Sequence, residues 1–208
     1  MEKSVLLRQE QDRRDDFTAI PTYTLEARHC AGAQLLSNRA ALLTQMPLNG
    51  VVAELGADEG NFSAVILETT KPEMLHVVDV WGTERYGDQK ANAVKGRFKS
   101  EIDAGRVQIK RKLSTEAAGD FADDYFDWIY IDTDHSYKTT LSELYAYAGK
   151  VKQDGFIAGH DYTMGNWVTG YKYGVIEAVA EFCVKENWRI AFLTAGFGES
   201  NSFAIKRI

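Results

Sequence analysis

Apolar positions along the chain switch between two periods, and the switches mark its elements. Residues 25–46 carry Leu25, Leu35, Leu36, Leu42, Leu43 and Met46 at helical spacing, and MPLNG then reads as a turn. From there short apolar runs alternate with helical patterns. Strands are predicted at 51–55, 75–80, 107–113, 126–131 and 156–158, and a closing pair at 189–194 and 202–208. Helices are predicted at 61–70, 88–103, 139–152 and 173–188, with Leu141, Leu144, Tyr145, Ala148 and Val151 on one face of the third.

Strands alternating with helices of this length give βαβ units and a mostly parallel sheet. The expected fold is α/β, a Rossmann-like doubly wound sheet of seven strands. Its last strand is antiparallel, because the loop joining the closing pair is too short for a helical crossover. Residues 1–48 read as an N-terminal helical arm or cap, charged and exposed over 1–20, and 49–208 as the main domain. The arm is placed either to cover a site or to pair two subunits as a homodimer.

Composition narrows the class. The 208 residues carry 24 Lys and Arg against 30 Asp and Glu, a net charge of −6. That balance argues against a nucleic-acid binder, whose footprint is basic. Cys30 and Cys183 fit neither a disulfide framework nor a zinc pattern, and read as reduced thiols. No apolar run reaches the roughly 18 residues of a membrane span, and the charged start MEKSVLLRQEQDRRDD lacks a secretory core. A cytoplasmic protein with no membrane partner is expected.

In such sheets ligands bind beyond the carboxyl ends of the strands, so the residues just after each strand are the candidates. After the first main strand comes Glu54-Leu55-Gly56-Ala57-Asp58-Glu59-Gly60-Asn61-Phe62-Ser63. A dinucleotide site would want GxGxxG and a pyrophosphate on the helix N-terminus. Asp58 and Glu59 would repel that pyrophosphate. S-adenosylmethionine removes the conflict, since it has no phosphate and carries an ammonium and a sulfonium. Asp79, 25 residues after Glu54, ends the second main strand, where a carboxylate accepts ribose hydroxyls; a turn cap is the alternative.

With these residues the chain resembles the class I S-adenosylmethionine-dependent methyltransferases. It is most similar to the branch of macrocin-type sugar O-methyltransferases and cephalosporin-hydroxylase-like proteins. The matching stretches are ELGADEGNFS, VVDVWG, KLSTEAAGDF, DWIYIDTDHSYKTTLSELYAYAGKVKQDGFIAGHDY and YGVIEAVAEF, within about residues 50–208. The resemblance implies cofactor contacts at Glu54, Gly56, Gly60, Ser63, Asp79, Ser114 and Asp132. Trp81 serves either the adenine face or the core, and Ser114 either the adenine region or a helix cap.

Two further strand ends supply Asp132-Thr133-Asp134-His135-Ser136-Tyr137 and His160-Asp161-Tyr162. Carboxylates and imidazoles gathered at one rim call for a cation or shifted pKa values. Oxygen-rich ligation suits Mg²⁺ or another divalent cation. The resemblance implies a metal held by Asp132, His160 and Asp161, although relatives usually carry Asp or Glu where His160 stands. The alternative has His160 and Asp161 bonding each other and the loop, and Asp134 capping the next helix.

Methyl transfer needs an aligned, anionic oxygen. A metal supplies that by acidifying the hydroxyl, with Asp132 beside it, and a histidine supplies it as a base. His135 is the candidate base; a structural role in the turn is its alternative. His29 and His76 carry no assigned chemistry. The aromatic loop YTMGNWVTGYKYG is placed to meet a small-molecule acceptor. The expected function is methylation of a sugar or natural-product hydroxyl. A catalytically inactive S-adenosylmethionine-binding module and a nicotinamide-dependent oxidoreductase are the other readings.

Overall fold

The computed structural model describes residues 11, 15, 18–166, 168–196 and 198–208. Most of the charged arm expected over 1–20, and Trp167 of the aromatic loop, lie outside the described residues.

The central strands are buried on both faces, as a parallel sheet under two helical layers requires. β2 (Val51–Leu55), β5 (Phe126–Ile131) and β6 (Val151–Gly159), this last buried only from Gly155 onward, alternate their side chains between two cores. Ala53, Leu55, Ile129, Ile131 and Ile157 face one core. α7 (Tyr137–Ala148) and α8 (Val175–Glu186) cover it with Leu144, Tyr147, Val179 and Phe182. Val52, Trp128, Tyr130 and Ala158 face the other. There α2 (Arg39–Leu43), α3 (Asn61–Thr70) and α4 (Asp88–Arg97) contribute Leu42, Phe62, Ile66 and Val94. Burying a large aliphatic side chain stabilises the fold by roughly 1.5–3 kcal/mol, so period-two patterning of these three strands fixes both layers.

The main sheet has eight strands in the order β1-β9-β10-β6-β5-β2-β3-β4. The outer members are β1 (Gln34–Leu36), β3 (Met74–Val78), β4 (Val107–Lys110), β9 (Trp188–Thr194) and β10 (Phe203–Arg207). β10 runs antiparallel to both neighbours, as the short loop demands. A hairpin, β7 (Gly165–Asn166) with β8 (Tyr171–Lys172), stands apart. Short α1 (Ala27–Cys30), α5 (Lys99–Asp103) and α6 (Ser114–Ala117) complete the set used below.

The eighth strand corrects the helical reading of 25–46 and the count of seven. Gly32 turns the chain at φ +71°, and residues 34–36 then pair in parallel with β9, Gln34 against Phe192. Without β1, β9 would end the sheet with a row of unpaired backbone groups. That long-range demand overrides the local spacing, and Leu35, one of the apolar positions behind it, is 72% exposed.

The chain leaves β2 toward β3 and β4, then crosses back to β5 on the other side of β2. A crevice opens at such a reversal. Register aligns its rim: Leu55 pairs with Val78 and Ile131, and Ile131 with Gly159. The next residues, Gly56, Asp79, Asp132 and His160, therefore start in one row.

Candidate active site at the carboxyl edge of the sheet

A cleft of about 890 Å³ lies over this row. Glu54, Gly56, Asp79, Ser114, Asp132 and His135 all line it. The sequence pointed to all six, and the parallel register brings them together.

The glycine turn is held from both sides. Gly56 sits at φ +84°, and a Cβ there would lie 2.0 Å from the carbonyl oxygen of Asp132. Its glycine is required by the close approach of the β2 and β5 exits. Gly60 adopts φ +72° at the start of α3, where a Cβ would strike Phe98. It shapes the turn without lining the cleft.

Asp79 clamps that turn. Its Oδ2 accepts from the amides of Ala57 and Asp58, each at 3.0 Å, and its Oδ1 from the amide of Trp81 at 2.9 Å. Three amide bonds stabilise a carboxylate; they fill both lone pairs of Oδ2 and leave one on Oδ1 for the cleft. Asp79 thus caps the turn and also lines the cleft. Trp81 is corrected from the adenine face to the core. At φ +39° its indole tucks beneath the turn, 1% exposed, and its Nε1 donates to Asp58 O at 2.9 Å.

Glu54 is 1% exposed, and burial pushes its carboxyl up to about 8 despite a hydrogen bond from the Ser63 hydroxyl. Ser63 is fully buried beneath it and stays out of the cleft. Ser114, the first residue of α6, lines the cleft and donates to Glu143 of α7; the cap position belongs to Leu113.

At the other end, Asp132, His135 and Asp161 bring one ligand atom each within 4.8 Å of one another. Nδ1 of His135 lies 2.9 Å from Oδ2 of Asp161. Burial opposes the imidazolium, yet the bond and charge of Asp161, with Asp132 and Asp134, leave the His135 pKa raised. Burial alone would raise the Asp161 carboxyl, but bonds from His135 and Ser200 bring it below its ordinary value. Asp132 is pushed up to about 7, by burial and then by the charge of Asp161.

His160 leaves the expected ligand set. Continuing the alternation of β6, it joins the Ala158 and Tyr130 side. There its Nδ1 lies 3.0 Å from Ser202 Oγ, which also meets Tyr130 Oη at 2.9 Å. Burial lowers its pKa. His135 takes its place in the cluster, turned toward Asp161 by φ +62° at His135 and +54° at Asp161. Asp134 does not cap α7; Ser136 does, and Asp134 bonds the Ser136 amide.

Two participants carried no signal in the sequence. Arg39, at the start of α2, lines the cleft, with Nη1 3.8 Å from Asp132 and the guanidinium 4.5 Å from the Phe62 ring centroid. It stands in no motif and arrives because β1 and α2 fold onto the sheet. Glu143 lies inside an apolar helical pattern and is fully buried. At about 100° per residue it lies opposite the stripe of Leu141, Leu144 and Ala148, so the spacing did not mark it. In the aromatic loop, Tyr171 lines the cleft and the Tyr173 ring lies 4.8 Å from that of His135.

A family model described as "Methyltransferase domain" matches residues 53–162, just over half of the chain. No curated protein sequence matches. Among solved structures, an O-methyltransferase family protein from Burkholderia thailandensis superposes with a TM-score of 0.61 at 13% identity, over 81% of this chain and 55% of that one. The tRNA methyltransferase TrmK of B. subtilis gives 0.60 at 13%, over 83% and 67%. SMU.1697c of Streptococcus mutans, a candidate methyltransferase in complex with SAH, gives 0.58 at 13%, over 82% and 96%. At these identities the likeness is one of fold.

Proposed function

This chain belongs to the methyltransferase-domain family, and we propose that, as an S-adenosylmethionine-dependent enzyme, it methylates a hydroxyl oxygen of a small molecule. One observation carries the O-methylation reading: His135, which lines the cleft beside Asp132, is paired behind it with Asp161 at 2.9 Å. The nicotinamide reading falls with the family assignment.

The cleft suits the cofactor. Its lining includes Glu54, Asp79 and Asp132, which fits a ligand with an ammonium and a sulfonium. When bound, S-adenosylmethionine supplies the electrophilic methyl carbon, whose bond to sulfur breaks as the acceptor oxygen attacks. Asp161 accepts a hydrogen bond from Nδ1–H of His135, which keeps that proton on Nδ1 and leaves Nε2 as the free base. Nε2 takes the acceptor hydroxyl proton, and Asp161 stabilises the resulting imidazolium. Asp132 and Glu54 hold the positive end of the cofactor, and Asp79 its ribose. Tyr171 and Tyr173 bound the acceptor side. Support for a small acceptor is the acidic balance of the chain, −6 overall, and the carboxylates along the cleft.

A second reading adds a divalent cation, favoured by Asp132, which burial and then the charge of Asp161 push up to about 7, a cost that a bound cation would relieve. Asp132, His135 and Asp161 would hold it, and it would acidify the acceptor hydroxyl. The donor set, two carboxylates and an imidazole, fits such an ion.

Methyl transfer from labelled S-adenosylmethionine to a panel of phenols, sugars, small amines and tRNA tests the proposal. Turnover confined to the small hydroxyl compounds supports it; turnover on tRNA or amines alone sinks it. Exhaustive chelation separates the two readings, because only the metal reading loses activity.

A further inference from the structure

Glu143 is fully buried, and both of its carboxyl oxygens are taken by hydroxyls. Ser114 donates to Oε1, and Thr133 donates to Oε2 at 2.9 Å. Glu143 does not line the cleft, whereas Ser114 and Thr133 do. Burial pushes this carboxyl up to about 7, against the two hydroxyl bonds. Above that pH it is a pure acceptor.

A hydroxyl has one proton and two lone pairs. With both protons committed to Glu143, Ser114 and Thr133 can offer the cleft only lone pairs. That stretch of wall accepts and does not donate. The reacting end of the cleft is at the exits of β5 and β6, and Asp79 marks the ribose at β3. A nucleoside laid along that line directs its base toward the exit of β4, where Ser114 stands.

We infer that Glu143 is a positioning residue which sets the Ser114 and Thr133 hydroxyls as acceptors for the exocyclic amino group of the cofactor's adenine. This rests on the cofactor reading above. Adenine presents a donor at its 6-position and hypoxanthine an acceptor, so the 6-oxo base meets lone pair against lone pair. Leaving polar groups so opposed costs more than the loss of one hydrogen bond.

The test is calorimetric titration of the full chain, near pH 8 to keep Glu143 ionised, with S-adenosylhomocysteine and its 6-oxo analogue S-inosylhomocysteine. The unmodified protein should prefer the adenine form by at least about tenfold, which is about 1.4 kcal/mol. In Glu143→Gln the side-chain amide donates to one hydroxyl, which then turns its proton into the cleft. The preference should fall below about threefold. The pair Ser114→Ala with Thr133→Val removes the acceptors while keeping Glu143, and should erase the preference too. That variant decides the matter if Glu143→Gln fails to fold. A preference retained in either folded variant, or absent from the unmodified protein, overturns the inference and leaves the cofactor reading standing. No binding of S-adenosylhomocysteine to the unmodified protein overturns the cofactor reading itself.

Discussion

His135 and Asp161 come from loops after different strands and meet with Nδ1 2.9 Å from Oδ2. Both backbones are left-handed there, at φ +62° and +54°. A non-glycine residue in that region costs of order 1 kcal/mol or more, so the contact is held by its surroundings. Asp161 is only 7% exposed, which keeps the pair from exchanging partners with water.

Removing this pair should damage turnover and spare binding. His135→Ala is expected to lower kcat by roughly 10²–10⁴-fold, with S-adenosylhomocysteine affinity within about twofold. A base works only when deprotonated, so activity should rise with pH through the raised pKa of His135. Asp161→Asn removes the group that raises it and should move this limb to lower pH. A pH–rate profile of both proteins, with the limb unmoved, would take the base role from His135.

Glu54 links stability to pH. Its folded pKa, about 8, stands above the ordinary 4.5. The folded state thus binds a proton that the unfolded state releases. Stability is fully present below about pH 4.5 and declines as pH rises toward about 8. The full effect is a few kcal/mol at most, since each tenfold change in proton affinity is worth about 1.4 kcal/mol. Glu54→Gln should flatten the decline in melting temperature over this window and weaken cofactor binding. Thermal melts from about pH 4 to about pH 9 check it, and an unchanged slope would show that Glu54 does not carry the linkage.

Asp79 clamps the glycine turn through three amides. Asp79→Ala should weaken cofactor binding by roughly 1.5–3 kcal/mol and also lower the melting temperature. Asp58→Ala is expected to lose less, because Asp58, although it lines the cleft, is already neutralised by Lys90 and clamps no backbone amides. Calorimetry giving equal losses would deny Asp79 a special place.

The two kinds of glycine should part clearly. Gly56→Ala faces a carbonyl oxygen at 2.0 Å and a positive φ, and should unfold or strongly destabilise the protein. At Gly96, on the exposed side of α4, an added Cβ would meet nothing within 4 Å. Gly96→Ala should stabilise by roughly 0.5–1 kcal/mol. Denaturant unfolding of both variants measures the contrast.

Much of the site was legible because it is local in sequence. ELGADEGNFS placed Glu54 and Gly56, VVDVWG placed Asp79, and DTDHSY placed Asp132 and His135. In a parallel sheet every such loop leaves the same edge, so reading the strands was enough to bring them together. The parity of a strand exit was not legible: the choice between His160 and His135 depended on where β6 lets go of its alternation and on two left-handed residues. The direction of Trp81 turned on one positive φ in the same way.

Patterning by itself determined the doubly wound sheet, its antiparallel last strand and the rim over which the cleft opens, because period and loop length are local properties. The tertiary structure decided what depends on pairing across the chain. It added β1 as an eighth strand to close the open side of β9, and carried Arg39 to within 3.8 Å of Asp132. It also set the buried carboxyl of Glu143 between two hydroxyls that come from the exits of β4 and β5. These partners are 29, 10 and 93 positions apart in the three pairs Ser114–Glu143, Thr133–Glu143 and Arg39–Asp132. No local period encodes such separations; only the packing of whole layers against each other does.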